Sequence, residues 1–256
     1  MILVENFKKN QIVDLEIDYF LDRIKNKDFF SYSRFNDGEL ICAIKNFTEV
    51  GSTHNCDKHE YFPDLGLDLI QSLNNADNKN YFIQYLSAFI NNSKYIEYTE
   101  TLLKNNKLNG QYVSSDFLQI MLRYKPEEFK KFIDILNQNQ IMIVGPEYLN
   151  KFKLLNITDF IQVPTKNCYL HKDRILHEIR NKLKENQIVL FSSSMATNSF
   201  INVLFAEYGN TNFFIDAGSI WDIFFYKTNP EIKQRSVNFD KITQFSNWYK
   251  DFFIDN

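Results

Sequence analysis

The sequence predicts an α/β protein: a single domain with a mostly parallel, Rossmann-like sheet flanked by helices. Three observations carry this. Short apolar runs that stop at small or polar residues alternate with helix-period segments. From residue 141 onward the order strand, helix, strand, helix, strand, helix, strand is regular enough to predict parallel pairing through right-handed crossovers. A chain of 256 residues at 44% hydrophobic content has the apolar mass for one sizeable core.

In chain order, the predicted strands are 29–35 (FFSYSRF), 81–86 (YFIQYL), 111–115 (QYVSS), 141–145 (IMIVG), 159–164 (DFIQVP), 188–194 (IVLFSSS) and 212–218 (NFFIDAG). The predicted helices are 13–25, 37–47, 64–75, 94–106, 125–138, 171–186 and 195–209. The tail 239–256 (FDKITQFSNWYKDFFIDN) reads as an aromatic-rich amphipathic helix, expected to pack on the core or else on a partner subunit. No repeat, low-complexity tract or Pro/Gly-rich linker divides the chain. The regular doubly wound portion spans 139–256 and the portion before it 1–138, within one domain, 1–256.

Charge narrows the partners. A net charge of −3 and a pI near 5.9 provide no field for a nucleic-acid backbone or an anionic membrane surface. Cys42, Cys56 and Cys168 are an odd number at long spacings, which fits a reducing, cytoplasmic setting rather than a disulfide framework. The first twenty residues carry acids inside their apolar stretch, so neither a signal peptide nor a membrane span is expected. The abundance of Phe and Tyr, beside much Asn and Lys, reads as compositional bias.

Open α/β sheets bind ligands at the carboxyl ends of their strands, so the residues after each apolar run matter most. After the first run stands SRFNDGEL (33–40), where Gly38 permits a tight turn and Asp37 and Glu39 can aim at one point. Two carboxylates that close repel unless a cation lies between them. A hard ion such as Mn²⁺ or Mg²⁺ takes oxygen ligands and leaves room for a diphosphate to complete its shell. The same residues also suit a helix start, with Asn36 or Asp37 as cap and Glu39 favourable to the dipole.

GSTHNCDKHEYFPDLG (51–66) crowds His54, Asn55, Cys56, Asp57 and His59 together without the ligand spacing of a zinc site. It reads as a polar loop that contacts substrate or caps the next helix, with His54 and His59 as acid/base candidates. In LFSSSMATN (190–198), Ser192, Ser193 and Ser194 precede a helix, a setting for anion binding or for a serine cap. FFIDAGSIWDIF (213–224) places Asp216, Ser219 and Asp222 after the last strand, as a base, a sugar or ribose contact, or caps. VPTKNCY adds Asn167, with Cys168 as a packed thiol. No nucleophile elbow, Walker loop or dinucleotide fingerprint occurs.

Taken together, these segments resemble a known family. SRFNDGEL is similar to the Arg-Phe/Tyr-Gly-Asp-Gly-Glu signature of the GT-D fold glycosyltransferases, and NCDKHEYFPDLG, SSSMATN and IDAGSIWD resemble later motifs of one branch, in the same order. The chain departs from that pattern at Asn36 and Lys58, where the family carries glycine. The resemblance implies a GT-D type α/β fold and an enzyme that moves a sugar, a hexose by family habit, from a nucleoside diphosphate sugar, UDP-linked by preference, to a hydroxyl of a glycan, glycolipid or glycoprotein, as in polysaccharide biosynthesis. It further implies a Mn²⁺ or Mg²⁺ ion at Asp37 and Glu39, the positions of the family's Asp-x-Glu element.

On that reading Arg34 supplies positive charge near the diphosphate or orients the two carboxylates. Asn36, Gly38, Asn55, Asp57 and Ser219 belong to the donor surroundings, and Ser192, Ser193 and Ser194 provide a second phosphate or sugar contact. Asp216, Asp222 or His59 is the candidate base. Two other classes remain: a metal-dependent phosphoesterase or nuclease, which needs more ligands than the helix-borne His171 and His177 offer, and a nucleotide-sugar binding module without catalysis.

Overall fold

The computed structural model describes residues 2–48, 54, 59–85 and 93–225. Asn55, Asp57, Lys58 and the tail helix expected at 239–256 lie outside them.

Ile2–Gln11 forms helix α1, followed by the short strand β1 (Ile12–Val13) and α2 (Ile17–Lys25). Then come β2 (Ser31–Phe35), α3 (Asp37–Ile44), α4 (Pro63–Ser72), β3 (Tyr81–Tyr85), α5 (Ser93–Lys104), β4 (Tyr112–Val113), α6 (Phe117–Tyr124) and α7 (Pro126–Asn137). The remainder is β5 (Ile141–Gly145), β6 (Ile157–Gln162), α8 (Lys172–Lys182), β7 (Ile188–Phe191), α9 (Ala196–Tyr208) and β8 (Phe213–Asp216). Among the described residues the strands form one eight-stranded sheet in the order β1-β4-β3-β2-β8-β7-β5-β6. Every pairing in it is parallel.

Local chemistry accounts for the elements. β5 reads Ile-Met-Ile-Val-Gly and is buried along its length, as a strand covered on both faces must be. Pro126 opens α7 at a position where its missing N–H costs nothing, with Glu127 and Glu128 at the positive end of the helix dipole. The helix expected from residue 13 begins at Ile17 instead, because Ile12 and Val13, both β-branched, pair with Tyr112 and Val113. The helices α1 and α6 were not expected. Strand β7 stops at Phe191, so the three serines belong to the loop beyond it.

Two apolar layers flank the sheet. One is built with α1, α3, α4, α8 and α9, the other with α2, α6 and α7. The aromatic bias has its outlet here: Phe20 stacks on Phe117 at 4.4 Å and meets Phe30 and Tyr32 edge-on or tilted. Each such ring contributes roughly 1.5–3 kcal/mol through burial. Cys42 and Cys168 are buried free thiols, as packed side chains should be. No helix among the described residues is long and apolar enough to cross a membrane.

The topology brings β2 beside β8, with Tyr32 opposite Ile215. Residues distant in sequence therefore share the carboxyl edge of the sheet, where α3 follows β2, α6 follows β4 and α9 follows β7.

Candidate functional site

Arg34 is the centre of this edge. It lies in register with Gln84 of β3, and its guanidinium donates to Asp116 Oδ2 at 2.9 Å and to Asp216 Oδ1 at 3.2 Å. Its backbone N–H also donates to Asp216 Oδ2 at 3.3 Å. Burial works against the guanidinium charge, but Asp216 and Asp116 outweigh it and raise the pKa. Burial likewise holds the Asp216 carboxyl above its ordinary range, against the pull of Arg34. One cation between two carboxylates leaves this cluster net negative, a poor seat for phosphate. Its fork engages Asp116 and Asp216 rather than the expected Asp37 and Glu39. Arg34 Nε and the Gln84 amide, both buried, have no hydrogen-bond partner among the described residues.

Gly218 closes the turn over this pair. Its φ is +50°, and a Cβ there would fall 1.3 Å from Arg34 Nη2. Gly218→Ala therefore has to strain the backbone and displace the guanidinium together. A stability loss of at least about 2 kcal/mol is expected in urea titration.

The turn after β2 divides the labour of its acids. Asn36 is the N-cap of α3, and Glu39 reaches back so that its carboxylate accepts from the Asn36 N–H at 2.9 Å. Glu39 is buried, and burial first, then Asp216, pushes its pKa up to about 7. A carboxyl raised in this way holds a proton in the folded chain that the unfolded chain has lost, so its contribution to stability falls between about pH 4.5 and 7 and stays lost above. Glu39→Gln keeps a cap acceptor and removes the titration. It should raise stability at pH 8 by up to roughly 3 kcal/mol and flatten the stability curve across that interval. Asp37 is half-buried, with Oδ1 accepting from the Gly38 N–H at 3.0 Å. No group of three or more His, Cys, Asp or Glu converges on one point among the described residues. A hard cation held by one or two carboxylates and completed by substrate phosphates needs no such group, and the Asp37 carboxylate fits that role better than the capping Glu39.

A second helix start lies alongside. Asn198, in the first turn of α9, donates to the Arg34 carbonyl at 3.0 Å, which ties the beginning of α9 to the end of β2 next to α3. Just before α9, Ser193 shares a hydrogen bond with Thr197 at 2.8 Å, and the exposed Ser194 adopts a left-handed φ of 55°. Ser192 has a buried hydroxyl without a partner among the described residues. The turn lines a small crevice with His59, Asn167 and Cys168. There the Asn167 N–H donates to His59 Nδ1 at 3.3 Å, and Asn167 Oδ1 accepts from the Glu60 N–H at 3.0 Å. Thus His59 and the serines, separate in sequence, meet.

The remaining candidates are dispersed. Asp222 is buried and accepts from the Tyr148 hydroxyl at 2.7 Å. Ser219 is exposed. His54 pairs with Glu60 in an isolated bridge. His171 is exposed at the start of α8, and His177 meets Asn181 on the same helix at 2.9 Å. Sequence reasoning missed Asp116, Gln84 and Asn198. Asp116 directly follows the 111–115 run, so the strand-end rule reaches it.

No protein-family model and no curated protein matches the chain. Two solved structures share its fold, each with a TM-score of 0.60 and 19% sequence identity. One is a selenomethionine form of domain of unknown function 1792, with 85% of this chain and 81% of the other aligned. The second, at 86% and 82%, is described as showing that this highly conserved domain has a distinct glycosyltransferase fold. The chain accordingly has a glycosyltransferase-like fold.

Proposed function

We propose that the chain is a glycosyltransferase that moves a sugar from a nucleoside diphosphate sugar to an acceptor hydroxyl with the help of Mn²⁺ or Mg²⁺. One observation carries the reading: the Asn198 bond to the Arg34 carbonyl sets the starts of α3 and α9 side by side at the carboxyl edge of the sheet. Two neighbouring helix N-termini favour a diphosphate through their aligned dipoles. The fold likeness is consistent with this and does not identify donor, acceptor or ion.

Asp37 would hold the cation against the donor phosphates, and the cation would neutralise the charge that develops on the leaving nucleotide. Glu39 keeps the turn in place through its cap bond. Ser193 and Ser194, with the N–H groups before α9, contact phosphate or sugar beside His59. Arg34 fixes Asp116 and Asp216 at the floor. All three base candidates have partners, Asp216 in Arg34, Asp222 in Tyr148 and His59 in the Asn167 N–H, and of the three His59 is the one that borders the crevice. The role of base is therefore assigned to His59.

The test is nucleoside diphosphate release from UDP-, GDP- and dTDP-linked sugars, with Mn²⁺, Mg²⁺ or EDTA. Metal-dependent release from one donor supports the proposal. Silence across the panel, with no donor binding by calorimetry, overturns it and favours a phosphoesterase, to be tried on simple phosphate esters.

A further inference from the structure

A groove of about 550 Å³ opens between the first turns of α4 and α8. It adjoins the His59 crevice, with Tyr169 lining both. Its floor is a closed polar network in which Asp68 Oδ2 accepts from the Tyr169 hydroxyl at 3.0 Å, Lys172 Nζ at 2.5 Å and Ser199 Oγ at 2.6 Å. That network ties α4, α8 and α9 together, so the groove is preformed.

The walls differ from the floor. Leu67 and Leu170, from separate elements, are 55% and 63% exposed, among the most exposed large apolar side chains described. The same groove is lined by the exposed carboxylates of Asp64 and Asp173, both close enough to the Tyr169 hydroxyl to help raise its pKa, after burial and Asp68. The lysine and arginine of the lining are engaged: Lys172 with Asp68, and Arg174 with Glu178 at 2.6 Å. The side chains left to meet a ligand are therefore two carboxylates, two leucines and the exposed His171. Carboxylates accept from hydroxyls, and leucine side chains pack on the C–H face of a pyranose, whereas a second anion meets uncompensated negative charge.

Building on the glycosyl-transfer reading, we infer that this groove is the acceptor subsite and takes a neutral or amino-bearing sugar residue, excluding uronic and sialic acids. Its volume suits one or two sugar rings. Acceptor and donor then meet across Tyr169.

Saturation-transfer NMR tests the assignment, using methyl glucoside, methyl galactoside, methyl N-acetylglucosaminide, glucosamine and glucuronate with native chain, Leu170→Ala, and an Asp64→Asn, Asp173→Asn pair. These side chains are exposed, so the variants should fold, which thermal melting checks. At least one uncharged or amino sugar should bind the native chain, glucuronate should not, and the signal should fall at least fivefold in both variants. Glucuronate should gain signal in the Asn pair. Signals equal in native and variant chains, glucuronate binding as strong as glucoside binding, or no sugar binding at all would each overturn the assignment. Donor hydrolysis is followed on the same samples. If it persists in every variant while the groove fails these criteria, the subsite alone is wrong; if the native chain neither binds nor hydrolyses any donor, the glycosyl-transfer reading has failed as well.

Discussion

Arg34→Ala should lower the stability of the folded chain by about 3–5 kcal/mol at neutral pH, the cost of leaving buried carboxylates without their cation. Asp116 and Asp216 have no other cation within salt-bridge distance among the described residues. For a domain of this size the loss corresponds to roughly 6–20 °C in Tm. The pH dependence distinguishes this cause from lost packing. Asp216, whose carboxyl burial already holds high, takes up a proton more readily in the variant, so the loss shrinks as pH is lowered. Replacing the trio together, as Arg34→Met, Asp116→Asn and Asp216→Asn, should cost less than Arg34→Ala because no lone charge remains inside. Urea midpoints at pH 7.5 and 5 report both effects. A loss below about 1 kcal/mol, the size seen for surface ion pairs, would show that the pair does not hold the carboxyl edge together.

The largest expected effect on activity belongs to Asp37→Asn. The substitution removes one charge, keeps the shape and keeps an oxygen that can accept from the Gly38 N–H. Stability should change by less than about 0.5 kcal/mol. If the carboxylate holds the cation, donor turnover should fall by about a thousandfold, equivalent to roughly 4 kcal/mol of charge stabilisation. Glu39→Gln separates the two acids: it keeps the cap and should retain more activity than Asp37→Asn. Equal turnover by native and Asp37→Asn chains, undiminished in EDTA, would reduce this turn to a helix cap.

Strands β5 and β7 were legible because their runs are apolar throughout and bounded by polar residues, whereas β6, with Thr158 and Asp159 inside it, begins two residues before the expected 159. β5 falls where the sequence places it, at 141–145, and 188–194 contains β7. Helix α6 was hidden by its length: Phe117, Leu118, Met121 and Leu122 recur at helical spacing, but eight residues are too short a window for that period to stand out. Helix α1 was read only for what it excluded. Within the site, Asp37, Glu39 and the serines were visible as residues, but Asp116 was passed over because it caps α6, a helix not recognised. The partnerships of Arg34 were beyond reach of spacing, since nothing in a parallel fold's sequence states that its first long strand will lie beside its last.

That neighbourhood also sets the order of assembly. Arg34 and Asp216 are 182 residues apart, so at ribosomal rates of about 5–20 residues per second some 10–40 seconds separate their synthesis. Until β8 arrives, one long edge of β2 lacks its partner, with Tyr32 and Arg34 on a strand able to pair with a neighbouring chain. Closing so distant a contact is slow, and the chain is exposed to aggregation while it waits. Its yield in cells should depend on a chaperone holding the nascent sheet open, and the carboxyl edge should be the last region to gain protection from hydrogen exchange during refolding.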